Sequence, residues 1–148
     1  MLTSDHNNVF SCAMISPLSA IELREASMCA VNAKFVYVTG GCLSDGASVS
    51  SCYQYDIGRN EWQSRFKMRR ARQDHSSCQL GAYIYVFCGD DIDGNSVEKL
   101  SIDTNTNLQD HKGWELISKR NLRALPRLLS PLSFSLNAHE IVILGGYG

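Results

Sequence analysis

The sequence predicts an all-β chain assembled from repeated four-stranded antiparallel units. Three observations carry that expectation. A short run of aliphatic, aromatic and β-branched residues that stops at glycine occurs three times: KFVYVTGG at 34–41, AYIYVFCG at 82–89 and HEIVILGG at 139–146. Such runs favour buried strands and are too short for ordinary helices. The stops recur at related intervals, 48 residues from Gly41 to Gly89 and 57 from Gly89 to Gly146. Finally, turn-forming residues separate the runs at the spacing of antiparallel hairpins in series.

Taken in order, residues 1–23 form an N-terminal segment with a faint pattern, expected to hold the tail of a preceding unit. The first full unit is 24–71. Its opening strand, ASMCAV, ends in a turn at Asn32, and KFVYVTGG follows. A polar loop (CLSDGASVS) leads to SCYQYD, ending at Asp56, and then to IGRNEW, ending at Trp62. The second unit, 72–123, repeats the order with SSCQLG, AYIYVFCG, DDIDGNS and VEKLSID, ending at Asp103, and then a longer polar turn that reaches Trp114. Asp56 to Trp62 is six residues and Asp103 to Trp114 is eleven, so the second copy is expected to carry a five-residue insertion there. Residues 124–148 supply PLSFSL and HEIVILGG, the first half of a third unit. One such unit cannot bury both of its faces, so copies must stack side by side.

These residues resemble the kelch repeat of β-propellers. The resemblance rests on the paired glycines (Gly40 and Gly41, Gly145 and Gly146), the Tyr55-Asp56 pair, and Trp62 seven residues after Tyr55. It covers about residues 24 to 148. In the second copy Cys88 stands for the first glycine and Ile102 is expected in place of the tyrosine. The resemblance implies a partial β-propeller of about two and a half four-stranded blades. It also implies that the glycines end the second strand near a crowded axis, where a missing Cβ is needed, and that Tyr55 and Trp62 pack between blades. Closed propellers need about four to eight blades. The chain is therefore expected to be a piece of a longer propeller or half of an assembled ring, with open blade edges prone to self-association.

Composition narrows the functional classes. Fourteen Lys plus Arg against fifteen Asp plus Glu leave a net charge of −1, which gives no general attraction to nucleic acid or anionic membranes. No apolar run approaches the roughly 20 residues of a membrane-spanning helix. The first twenty residues contain no Lys or Arg and do not read as a secretory signal. A cytoplasmic location follows as the expectation, with Cys12, Cys29, Cys42, Cys52, Cys78 and Cys88 as reduced thiols that are mostly small buried hydrophobes. No Cys-x-x-Cys spacing is present, and no metal site or cofactor is expected. The acidic stretch GDDIDGNSVE fails as a calcium loop: counted from Asp91, Ser96 occupies the glycine position and Ile102 that of the bidentate Glu. Motifs for a serine nucleophile, a phosphate loop or a zinc protease are absent, so no catalytic residue is assigned.

The expected working surface is the side from which the strand two to three loops and the blade links emerge, here Cys42 to Ser50, Arg65 to Arg72, Asp90 to Ser96 and Ser118 to Arg127. Loops on a rigid scaffold carry function. Arg65, Lys67, Arg69, Arg70 and Arg72 lie within eight residues and suit an acidic peptide segment. Asp91 and Asp93 fall in a neighbouring loop on the same side. The function expected is non-catalytic protein binding. The wider family adds adaptors and substrate receptors of cullin-type ubiquitin ligases. The alternative is a piece of a propeller enzyme of the galactose-oxidase type, although no copper constellation is matched.

Overall fold

The computed structural model describes residues 2–4, 10–12, 22–90, 96–102, 113–118 and 128–148. All regular structure among them is antiparallel sheet. A hairpin of β1 (Leu2–Ser4) and β2 (Phe10–Cys12) comes first. The first blade is β3 (Ser27–Val31), β4 (Phe35–Thr39), β5 (Cys52–Asp56) and β6 (Glu61–Ser64), paired in that order. The second blade is β7 (Ser76–Leu80), β8 (Tyr83–Phe87), β9 (Val97–Ser101) and β10 (Glu115–Leu116), again in sequence order. A last hairpin, β11 (Leu132–Ser135) with β12 (Ile141–Leu144), forms the inner half of a third blade. This is a partial kelch-type propeller, and each glycine-stopped run is the second strand of its sheet. No described residue forms a helix, so none supplies one long and apolar enough to cross a membrane.

Period-two alternation puts one set of side chains on each face of a blade, and both faces are used. The forward face of blade one (Cys29, Val31, Tyr37 and Cys52) meets the backward face of blade two (Ile84, Val86, Leu100 and Trp114) in one buried cluster. The forward face of blade two (Cys78, Phe87 and Val97) packs in turn on Leu128, Ile141 and Ile143. Along the axis the inner strands come too close for large side chains, and a serine contact recurs. Ser27 Oγ lies 2.7 Å from Ser77 Oγ, and one blade on, Ser76 Oγ lies 2.6 Å from Ser133 Oγ.

The glycine stops are demanded by the same crowding. Gly40 has φ +56°, and a Cβ on it would fall 2.4 Å from the carbonyl oxygen of Arg72 in the link to blade two. Gly41 donates its N–H to that same carbonyl at 2.9 Å, and Gly89 donates to the Leu128 carbonyl, also at 2.9 Å. Cys88, standing for the first glycine, is held at φ +60°. That left-handed conformation costs a non-glycine residue roughly 1–2 kcal/mol. Cys29, Cys42, Cys52, Cys78 and Cys88 are buried. Burial pushes the thiols of Cys29 and Cys52 up to about 12.

Strand pairing corrects one detail of the sequence alignment. Tyr55 pairs with Val36 and Trp62, and its counterpart in blade two is Leu100, which pairs with Ile84, rather than Ile102. The two candidates differ by two residues and so share a face, and alternation alone cannot choose between them. The insertion therefore lies after Leu100 and is longer than expected, offset by a shorter loop before β9. The aromatic stations also differ. Trp114 is fully buried and donates its indole N–H to the Phe66 carbonyl at 2.8 Å. Trp62 is half-buried, 5.0 Å from the Tyr55 ring between centroids, because no described blade covers that face.

Trp114→Ala is therefore expected to cost about 3–5 kcal/mol, in the range of a large buried aromatic. Trp62→Ala should cost distinctly less. Denaturant unfolding of both variants checks the order, and equal losses would contradict the burial difference.

Candidate functional site

The link from β6 to β7 is built around one arginine. Arg72 and Glu98 are both fully buried, and Arg72 Nη2 donates to Glu98 Oε1 at 2.9 Å. The guanidinium also donates to the carbonyls of Cys88 (3.1 Å) and Ser96 (3.0 Å) and to Ser96 Oγ (2.7 Å). Glu98 reaches back from β9 to the link backbone: Oε2 accepts the Arg69 N–H at 2.6 Å and Oε1 the Arg70 N–H at 3.0 Å. A buried charge is tolerable only when paired and hydrogen-bonded in this way.

The five cations therefore divide. Arg72 is spent inside blade two and offers nothing to solvent. Arg69 is exposed, but its Nε donates to the Trp114 carbonyl at 2.8 Å. Arg65 is half-buried beside the Tyr37 hydroxyl, which is raised chiefly by burial, with Arg65 acting in the opposite direction. Arg70 is half-buried and Lys67 is exposed. Asp91 and Asp93 lie outside the described residues. Asp90 is exposed, with its N–H bonded to the Gln73 carbonyl at 2.9 Å.

The link runs beside the β4–β5 loop and is bonded to it, Met68 N–H to Ser50 O at 2.8 Å and Arg72 N–H to Val49 O at 3.2 Å. Between them lies a groove of about 370 Å³ lined by Leu23, Leu43, Val49, Tyr53, Lys67 and Ala71. The arrangement offers apolar side chains interspersed with Ser48, Ser50 and Ser51, one exposed ammonium at the rim and a link backbone bonded to Glu98. It suits binding. Among the described residues no group of three or more His, Cys, Asp or Glu could hold a metal ion.

Sequence reasoning missed Glu98 and His75. A charge among apolar strand residues was the available signal for Glu98, but on strand alternation it reads as a solvent-facing residue. His75 is buried at the start of β7, its Nε2 2.9 Å from Thr39 Oγ1 and its Nδ1 without a partner among the described atoms. Burial, reinforced by the Arg72 charge, pulls its pKa down to about 3.

Comparison with known proteins supports the repeat assignment. No protein-family model matches the chain. Over 74 residues it is 30% identical to an F-box/kelch-repeat protein of Arabidopsis thaliana, covering 49% of this chain and 20% of that relative. Over 56 residues it is 43% identical to Kelch-like protein 21 of Danio rerio and 41% identical to that of Homo sapiens, covering 37% of this chain and 9% of each relative. These are kelch repeats. The matched stretch spans a fifth or less of each relative's length.

Two predictions follow for this kelch joint. Glu98→Ala leaves the Arg72 charge buried and unpaired and is expected to cost about 3–5 kcal/mol, whereas Arg72→Met with Glu98→Leu should recover most of that loss. Thermal or denaturant unfolding of the single and double variants decides it. For His75, the unfolded chain takes up a proton below about 6.5, while the folded chain does so only near 3. Stability present at pH 7 is therefore lost as pH falls through that window. His75→Gln should flatten the fall in unfolding midpoint between pH 6.5 and 4, and an unchanged slope would remove His75 as its source.

Proposed function

We propose that this kelch chain is a non-catalytic protein-interaction module whose β6–β7 link and β4–β5 loop receive an acidic segment of a partner protein. The observation that carries the reading is the groove between these two segments, with exposed Lys67 at its rim and a link backbone pinned by Glu98. A preorganised surface loses little entropy on binding. Arg65, Lys67, Arg69 and Arg70 supply positive charge to that side. Arg72 acts through the link rather than by contact, and Asp91 and Asp93 enter this reading from the sequence alone. The chain's second partner in this reading is itself, through open blade faces. The finer role proposed is that of a cytoplasmic adaptor or substrate receptor of a ubiquitin ligase. It is supported by the F-box/kelch-repeat and Kelch-like relatives.

The test uses fluorescence polarisation against a panel of peptides rich in Asp and Glu, with scrambled basic peptides as controls. Acidic peptides should bind, and more weakly as salt rises. Lys67→Glu with Arg70→Glu should weaken binding at least tenfold at an unchanged melting temperature. Binding that is insensitive to both the substitutions and salt would overturn the basic-surface reading.

A further inference from the structure

Blade one repeats the stations of the buried ion pair with different residues. Arg24 bridges Cys42, just after the glycine stop of β4, as Gln73 bridges Asp90 after that of β8. Leu23 therefore stands where Arg72 stands one blade on. Tyr53 pairs with Val38 and Glu98 with Val86, and these two valines each lie three residues before the last glycine of their run. Tyr53 therefore takes the place of Glu98. Two residues earlier the side chain is kept, Ser51 corresponding to Ser96.

The exchange changes the chemistry of that space. In blade two it is filled by an arginine, a side chain with an apolar stem and a polar head, and Ser96 Oγ accepts from Arg72 Nη2 at 2.7 Å. In blade one Leu23 brings no donor and Tyr53 no carboxylate. Ser51 Oγ is buried without a hydrogen-bond partner among the described residues. Arg72, Glu98 and Ser96 are buried, whereas Leu23, Tyr53 and Ser51 are half-buried and line the groove beside the β4–β5 loop. That groove combines the apolar side chains of Leu23, Leu43, Val49 and Tyr53 with one unsatisfied hydroxyl, and carries the Lys67 ammonium at its rim.

Charge selects among the side chains able to use that hydroxyl. An arginine from a partner would be buried near Lys67 with no Glu98 to meet it, which is costly. A neutral side chain with an apolar body and one hydrogen-bonding tip covers the apolar residues and satisfies the hydroxyl together, and tyrosine is of this kind. Carboxylates belong at the rim, with Lys67.

We infer that the groove is a specificity pocket for a tyrosine carried by the acidic segment, its ring against Leu23, Leu43, Val49 and Tyr53 and its hydroxyl bonded to Ser51 Oγ. This pocket rests on the acidic-segment reading and specifies one residue of that segment. At the same stations in blade two Arg72, Ser96 and Glu98 bond to one another, so the pocket belongs to blade one.

The test is fluorescence polarisation of acidic peptides that differ only at one central position, Tyr, Phe or Ser, on the full chain and two variants. The native chain should bind the Tyr peptide about tenfold more tightly than the Phe peptide, the effect of one hydrogen bond to an otherwise unsatisfied group. The Ser peptide should bind more weakly still. Ser51→Ala should bring the Tyr peptide down to the Phe level, with Phe binding and the melting temperature unchanged. Leu23→Arg with Tyr53→Glu rebuilds the blade two pair and should remove the advantage of Tyr over Ser while circular dichroism stays β-rich. Ser51→Ala decides the matter alone if that double variant does not fold. Equal binding of the three peptides, or a preference for Tyr over Phe that survives Ser51→Ala, would overturn the pocket and leave the acidic-segment reading standing. No binding by any acidic peptide would overturn both.

Discussion

The joint between a glycine stop and the following link is the constraint on which the rest depends. Three demands meet at the Arg72 residue. Its carbonyl accepts the Gly41 N–H and sits where a Cβ on Gly40 would be, its guanidinium enters blade two, and its own N–H returns to Val49. One residue thereby fixes the end of β4, the path of the β4–β5 loop and the seat of blade two. Once that distance is set, the inner strands approach closely enough that serines meet across them, and the outer strands fan apart to leave room for Trp114. Small residues at the axis and large ones outward follow from the wedge shape of the space.

Repetition shows which parts of the joint are essential. The backbone bond is kept in the second copy, where Gly89 donates to Leu128, yet the side chain there is leucine and packs into an apolar cluster. Cys88 likewise holds the conformation of Gly40 without being glycine. The left-handed backbone and the inter-blade bond recur, whereas the chemistry filling the adjoining space varies from copy to copy. A second chain of bonds tells the same story. Asp74 N–H donates to the Glu25 carbonyl and Ser130 N–H to the Asp74 carbonyl, all three residues sitting at φ between 51° and 57°.

Much of the architecture was legible because its signals are local. Every glycine-stopped run became the second strand of a sheet, and the turns at Asn32 and Gly81 fell where turn-forming residues stood, Asn32 and Ala33 both at φ +51°. What escaped was set by contacts distant in sequence. Leu100 and Ile102 share a face, so only pairing with Ile84 reveals which is the counterpart of Tyr55. Trp62 and Trp114 look alike as letters and differ in burial because one has a neighbouring blade and the other has none described. The basic run from Arg65 to Arg72 reads as one patch, yet its members divide among a buried ion pair, a carbonyl contact and solvent. No feature of the run itself announces Glu98, which lies 26 residues beyond Arg72.

The ion pair raises a question that the leucine at the equivalent station answers. Burying two charges rarely adds stability over well-packed apolar side chains, and Leu128 shows that this fold accepts an apolar residue there. The difference lies in the link. Glu98 does more than neutralise Arg72, since its carboxylate also takes the N–H groups of Arg69 and Arg70. Leucine could fill the space but could not hold those two peptides. The pair is thus better understood as fixing the course of residues 65–72 than as strengthening the core. A link fixed this way keeps the groove beside the β4–β5 loop in one shape, so two fully buried charges shape the surface that carries exposed Lys67 and Arg69.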